Sequence, residues 1–134
     1  ITDNEMTRFN INMNEAINFV INSMINSKGG EIFVPKIPSF YITDLAKAVC
    51  QNCKIKIIGV REGEKIHEEM ISNNESQRTI DLGNHYAILN SYAAEKYKNK
   101  KNLGKNFSYT SNNNKNFLTV EQLKKIIKNF PKKN

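Results

Sequence analysis

The stretch N-M-N-E-A-I-N-F-V-I-N-S-M-I-N-S-K-G-G-E-I-F-V-P, residues 12 to 35, decides the fold class. Asn12 followed by Glu15 forms an N-x-x-E capping box, in which the Asn side chain takes a free N–H of the first turn and the Glu returns the bond. Met13, Ala16, Ile17, Val20 and Met24 then recur at spacings of three and four, so the segment predicts an amphipathic helix. Gly29 and Gly30 end it, and Glu31 to Val34 predicts a strand stopped by Pro35. A glycine pair that follows a helix and precedes a strand has the wrong order for a phosphate-cradling loop, so it is read as a helix C-cap.

Working outward, Thr7 to Ile11 predicts a short extended segment, and Ile42, Leu45, Ala46 and Val49 predict a second helix after Pro38. Lys54 to Val60 alternates polar and apolar residues in part and predicts a half-buried strand. Ser72 to Gln77 reads as a loop, Thr79 to Leu82 and Tyr86 to Leu89 as short strands, and Tyr92 to Gly104 as a lysine-rich helix or linker. Thr119 to Gln122 is a second capping box, and Val120, Leu123, Ile126, Ile127 and Phe130 form an apolar stripe before Pro131. Helices alternating with strands place the chain in the α/β class, with too few strands to bury both faces of a large sheet.

At 134 residues the chain has room for one compact domain. It has no long apolar run and no charged-then-apolar leader, which points to a cytoplasmic protein without a membrane partner. It begins with Ile1 and runs at once into patterned sequence, which suggests a piece of a longer chain. The net charge of +7 is uneven: residues 1 to 95 sum to −3, and residues 96 to 134, with eleven Lys against Glu121, sum to +10. A basic tail can grip nucleic acid or an acidic partner, and a basic-tailed binding module is the alternative function carried forward. The abundance of Lys and Asn along the whole chain favours a solvated surface instead, with nucleic acid not expected as a partner.

Against that lysine background, the three arginines stand out as Arg8, Arg61 and Arg78. A position that keeps Arg where Lys is the default cation calls for a planar fork matched to phosphate or carboxylate oxygens. Arg61 opens R-E-G-E, residues 61 to 64. Arg61 suits a diphosphate, Gly63 permits a tight turn, and Glu64 can accept two hydrogen bonds from a vicinal diol such as a ribose. Cys50 and Cys53 lie near the end of a predicted helix, not at the N-terminus a redox pair needs. His67 and His85 stand at no ligand spacing, so two free thiols and no metal site are expected. Tyr92 with Lys96 and Tyr97 with Lys101 both spell Y-x-x-x-K, and they are read as coincidences of a lysine-rich segment.

Five motifs in order carry a resemblance: E-M-T-R-F at 5 to 9, G-G-E-I-F-V-P-K-I-P-S at 29 to 39, D-L-A-K-A at 44 to 48, K-I-I-G-V-R-E-G-E-K-I-H-E at 56 to 68, and Y-T-S-N-N-N-K-N-F-L-T-V-E-Q-L at 109 to 123. Together they resemble the C-terminal part of the inverting UDP-N-acetylglucosamine 4,6-dehydratases, which are extended short-chain dehydrogenase/reductase enzymes of surface-polysaccharide and pseudaminic acid synthesis. The resemblance implies an α/β (α+β) fragment: a C-terminal substrate-binding lobe lacking most or all of the Rossmann domain. It implies a sugar-nucleotide-binding lobe at 1–92, a basic linker at 93–108, and a C-terminal docking segment and helix at 109–134.

In the family, NADP or NAD oxidises the sugar at its fourth carbon, water leaves across the fifth and sixth carbons, and the hydride returns at the sixth with inversion at the fifth. The resemblance places the cofactor and the catalytic Tyr-x-x-x-Lys pair upstream of the R-x-G-E motif. This chain is therefore expected to bind no cofactor, to carry no catalytic residue, and to be inactive alone. What carries over is UDP-sugar binding, with Arg8 and Arg61 on the diphosphate and Glu64 on the ribose. The expected partners are the missing Rossmann portion and, for the parent enzyme, further copies of itself. His67, Glu68 and Y-T-S belong to the family pattern without an assigned ligand role.

Overall fold

The computed structural model describes residues 1–130, so the end of the basic tail, from Pro131 onward, lies outside the described residues. The chain divides into two compact units. The first comprises Ile1–Asn10, Pro38–Glu68 and the chain from Ser111, and the second comprises Ile11–Ile37 and Glu69–Thr110. The mixed α/β class read from the sequence stands, and every named sheet is antiparallel.

In the second unit, helix α1 (Met13–Asn26) carries the expected capping box: Asn12 accepts from the Glu15 N–H at 2.9 Å, and Glu15 accepts from the Asn12 N–H at 3.0 Å. The face it covers differs from the predicted one. Ala16, Phe19 and Ser23 are the partly covered positions, while Met13, Ile17, Val20 and Met24 remain 48 to 74% exposed. The helix is apolar around most of its circumference, so spacing alone could not choose between two adjacent stripes. It ends at Asn26, and Ser27 rather than a glycine is its C-cap. Gly29 and Gly30 instead make the turn into the sheet. At Gly30 (φ 87°) an added Cβ would lie 2.7 Å from the Asn90 side chain, which caps helix α2 (Ser91–Lys96) through the Ala93 N–H.

The sheet of this unit has the order β1 (Glu31–Pro35), β3 (His85–Leu89), β2 (Thr79–Asp81). Ile32 faces Ile88, Phe33 faces Ala87, and Ala87 also faces Ile80 on the other side. This register gathers Ile80, Ala87, Leu89 and Ala93 into a core with almost no exposure, packed by Phe33, Leu82 and Tyr97. Ser72 to Gln77, read as a loop, contains a one-turn helix at Asn73–Ser76, capped reciprocally by Ser72 and Glu75. Loop composition hid a capping box too short to show a periodicity.

Glu31, at the start of β1, sits among donors. Partial burial works to raise its pKa. The backbone N–H groups of Lys28 and Glu31 itself, with the hydroxyls of Ser27 and Tyr97, outweigh that and take it from 4.5 to about 2. A carboxyl held lower in the folded state contributes stability that is present above its unfolded pKa and is lost as pH falls through the folded one. We therefore expect this unit to lose stability between about pH 4.5 and about pH 2. In Glu31→Gln that part of the acid transition should flatten. Urea melts at stepped pH read this directly, and an unchanged acid profile in the variant would rule the linkage out.

The first unit pairs β4 (Thr7–Phe9) with β5 (Ser39–Tyr41), with Arg8 opposite Phe40. Helix α3 (Ile42–Val49) follows β5 directly, and helix α4 (Val120–Lys128) packs on α3 with Leu123 buried. The Thr119 and Gln122 capping box of α4 forms as expected.

Two expectations fail in this unit. Lys54 to Val60 is not a strand, and Ile55, Ile57, Ile58 and Val60 are 41 to 59% exposed. Alternation gives a segment the pattern of a strand, but a strand also needs a neighbour to take its N–H and C=O groups, and none of the described residues forms a ladder with it. The cysteines, expected as free thiols, form a Cys50–Cys53 disulfide. Cys50 is the cap residue of α3, its N–H still donating to the Ala46 carbonyl. The turn that follows brings the two Cα atoms to 5.5 Å, within reach of a bridge.

Candidate functional site

The R-E-G-E motif lies in an exposed turn rather than at a strand end, because the strand predicted before it does not form. Gly63 has φ +77° with open space around it, the conformation a type II turn needs at its third position. The Glu64 N–H donates to the Arg61 carbonyl at 3.0 Å, and the Glu64 carboxylate accepts the Arg61 N–H at 3.1 Å. The other carboxylate oxygen accepts the Thr2 hydroxyl at 3.3 Å. The turn thus fixes the direction of Glu64 while leaving it lone pairs for further donors. The Arg61 guanidinium is exposed and makes no hydrogen bond or ion pair among the described residues.

Arg8 approaches the same loop from β4 and is used differently. Its two terminal nitrogens donate to the carbonyls of Thr7 at 2.7 Å, Ile66 at 3.0 Å and Lys65 at 2.9 Å. Its Nε stands 3.8 Å from the Glu68 carboxylate. Three of five N–H groups are therefore spent on backbone, which leaves Arg8 a fastener of the loop with one terminal hydrogen to offer. All three residues singled out in the sequence belong to the first unit: Glu64 and Arg61 are joined by the turn, and Arg8 is bound to the two residues that follow Glu64.

Sequence reasoning gave no role to His67, Glu68 and Ser111, and the structure gives them one. The Thr7 hydroxyl lies 2.8 Å from His67 Nδ1 and 2.6 Å from the Ser111 hydroxyl, with Thr7 and Ser111 fully buried. Ser111 Oγ accepts the Glu68 N–H at 2.9 Å, the Ser111 N–H donates to the Glu68 carbonyl at 2.8 Å, and the Glu68 carboxylate accepts the Phe9 N–H at 2.7 Å. The only signal available beforehand was their place in the quoted motifs.

Elsewhere, a cavity of about 410 Å³ is lined by Lys28 and residues 95 to 100 in the second unit. We do not take it as the site. It opens broadly to solvent, Lys98 pairs with Glu95 at 2.5 Å, Lys28 lies over the Tyr97 ring, and Lys96 lies over the Tyr92 ring. These contacts also account for the Y-x-x-x-K spellings: Tyr92 and Lys96 form a cation–π pair, and the Tyr97 hydroxyl donates to Glu31 at 3.0 Å. No group of three or more His, Cys, Asp or Glu among the described residues is placed to hold a metal, and no described helix is long and apolar enough to cross a membrane.

The residues present do not fit a nicotinamide dinucleotide. Such a cofactor needs closely spaced glycines between a strand and a helix N-terminus. Here the six glycines include one adjacent pair, and it leads from a helix into a strand.

Comparison with known proteins agrees with the motif reading. The model of the family described as polysaccharide biosynthesis protein matches residues 1–90. Over 140 residues the chain is 44% identical to the UDP-N-acetylglucosamine 4,6-dehydratase (inverting) of Campylobacter jejuni subsp. jejuni serotype O:2, covering 95% of this chain and 41% of that protein. A UDP-glucose 4-epimerase of Rickettsia bellii is 35% identical over 97% of this chain and 40% of its own length. Among solved structures, Pen from Bacillus thuringiensis superposes with a TM-score of 0.74 at 31% identity, over 96% of this chain and 39% of that one. The chain spans about two fifths of the length of the relatives it matches.

Proposed function

Since the chain belongs to the polysaccharide biosynthesis protein family, we propose that it is the sugar-nucleotide-binding portion of a UDP-N-acetylglucosamine 4,6-dehydratase (inverting). In this reading Arg61 forks onto the diphosphate, Glu64 accepts the ribose hydroxyls, and Arg8 adds its remaining N–H to the diphosphate while fastening the loop. The cofactor, NADP or NAD, and the groups that move hydride and protons belong to a Rossmann portion outside these residues. The working enzyme is a cytoplasmic homo-oligomer, and its product feeds surface-polysaccharide or pseudaminic acid synthesis. No step of the redox chemistry is assigned to any side chain here.

The observation that carries the reading is an exposed guanidinium without a partner among the described residues, on the same turn as a carboxylate whose direction is already fixed. A guanidinium meets a phosphate through two parallel charge-assisted bonds, and a carboxylate takes two hydroxyls of a diol, so the pair matches the two ends of a nucleoside diphosphate. With so much of the turn in water, affinity for the chain alone is expected to be weak, about millimolar.

Nuclear magnetic resonance titration with UDP tests this. Saturable shifts should appear at the amides of Arg61, Gly63 and Glu64, with smaller ones from uridine. UDP at tens of millimolar that leaves those three amides unmoved would overturn the proposal, as would dehydration of UDP-N-acetylglucosamine by this chain alone.

A further inference from the structure

We infer that Thr7, His67 and Ser111 form a hydroxyl–imidazole latch, its two hydroxyls buried, that holds the Arg61–Glu64 turn in its binding geometry, so that all three are positioning residues for the nucleotide site. The consequence for ligand rests on the UDP-binding reading; the latch itself rests on contacts within one unit.

The turn needs such a device. Lys54 to Val60, on its upstream side, joins no sheet among the described residues and is exposed throughout, tied only at Ile1 by the Ile58 N–H on the Ile1 carbonyl at 3.0 Å and the Ile1 amino group on the Lys56 carbonyl at 2.9 Å. The downstream side, residues 65 to 68, is fastened instead. The Ile66 carbonyl accepts both the Thr7 N–H at 3.0 Å and Arg8 at 3.0 Å, and Lys65 accepts Arg8 at 2.9 Å. The Arg8 bonds are exposed or partly exposed, where water competes with them. The bonds beneath are better sheltered: that between Thr7 and Ser111 is wholly buried, and those to His67 and from the Glu68 N–H are half-buried. Thr7 Oγ1 touches His67 Nδ1 on one side and Ser111 Oγ on the other, and Ser111 also donates to the Thr7 carbonyl at 3.2 Å while its Oγ takes the Glu68 N–H.

Two proton arrangements satisfy the cluster. In one, His67 carries its proton on Nδ1 and donates to Thr7, Thr7 donates to Ser111, and Ser111 donates to the Thr7 carbonyl. In the other, Ser111 donates to Thr7, and Thr7 donates to an unprotonated Nδ1. Neither leaves a buried hydroxyl without a partner, and among the described residues no buried side-chain polar atom lacks one. Removing one member takes a partner from the buried Thr7 hydroxyl, and removing Ser111 also takes the acceptor of the Glu68 N–H, a larger loss than that of a surface bond. The segment that would then open is the one continuous with Glu64 and Arg61.

The test is amide hydrogen exchange with UDP titration on wild type, Ser111→Ala, His67→Leu and His67→Gln. Exchange is read at the Glu64 and Thr7 amides, with the Ser39 and Leu123 amides of the same unit as reference. In Ser111→Ala and His67→Leu we expect exchange at Glu64 and Thr7 to rise about tenfold or more while the reference amides stay within about twofold. The UDP concentration at half-shift should rise in step. His67→Gln, whose amide can donate and accept, should restore most of the protection. Should Ser111→Ala fail to fold, His67→Leu at its half-buried position decides alone. Exchange unchanged at Glu64 and Thr7, or raised equally at the reference amides, would overturn the latch. A wild-type chain on which UDP moves nothing would overturn the UDP reading, while the exchange data still decide the latch.

Discussion

Arg61→Ala should abolish the preference for UDP over uridine, with an affinity loss of about 10- to 100-fold. A charge-assisted hydrogen bond is worth about 1.5 to 3 kcal/mol, and each 1.4 kcal/mol is about a factor of ten. The side chain is exposed and bonded to nothing in the described residues, so its removal leaves no buried orphan and the fold should be untouched. Arg61→Lys separates charge from shape. Lysine keeps the positive point but lacks the planar fork, so about half of the lost free energy should return and a clear deficit should remain. Because the site is open to solvent, the preference should also shrink as salt rises toward about 1 M. Nuclear magnetic resonance titrations of both ligands on all three proteins supply the comparison. An alanine variant that still discriminates UDP from uridine by the wild-type factor would remove Arg61 from the diphosphate.

That prediction gives Arg61 and Arg8 unequal weight, which the sequence could not do. Both arginines stood out for the same reason, as rare forks among many lysines. Whether a fork faces solvent or faces carbonyls depends on contacts between residues 57 and 58 positions apart, invisible to any local pattern. The capping boxes at Asn12 and Thr119 were legible because donor and acceptor lie three residues apart and sequence spacing is their geometry. Lys54 to Val60 was misread for the converse reason: alternation reports which side chains share a face, while a strand exists only when a second segment supplies the ladder. The Cys50–Cys53 bridge is invisible in the spacing because it depends on the turn after α3, which brings the two Cα atoms to 5.5 Å. His67 and Ser111 lie in motifs that resemble a family, but their work lies in contacts with Thr7 across 60 and 104 residues that only the folded chain displays.

The second large effect is expected at Leu123. It is the buried residue of α4, with 2% exposure, and α4 packs on α3, whose preceding strand β5 pairs with the strand that bears Arg8. Truncating a fully buried leucine costs about 2 to 5 kcal/mol through lost transfer energy and the cavity left behind. A chain of this size has about 5 to 15 kcal/mol in all, so Leu123→Ala should move the urea midpoint far more than Ile127→Ala, where the side chain is already 36% exposed. The effect should reach the Arg61–Glu64 turn through the backbone. The segment entering α4 is tied to β5 by the Ser39 N–H on the Asn116 carbonyl and the Leu118 N–H on the Ser39 carbonyl, both at 2.8 Å. If α4 loses its anchor, those bonds lose their support, and with them the strand that holds Arg8 and Thr7 opposite the loop. UDP binding in Leu123→Ala should therefore fall in proportion to the unfolded fraction measured at the same temperature, and cooling or a stabilising osmolyte should restore it. A Leu123→Ala chain as stable as wild type to within about 0.5 kcal/mol would mean that α4 does not close the core of this unit.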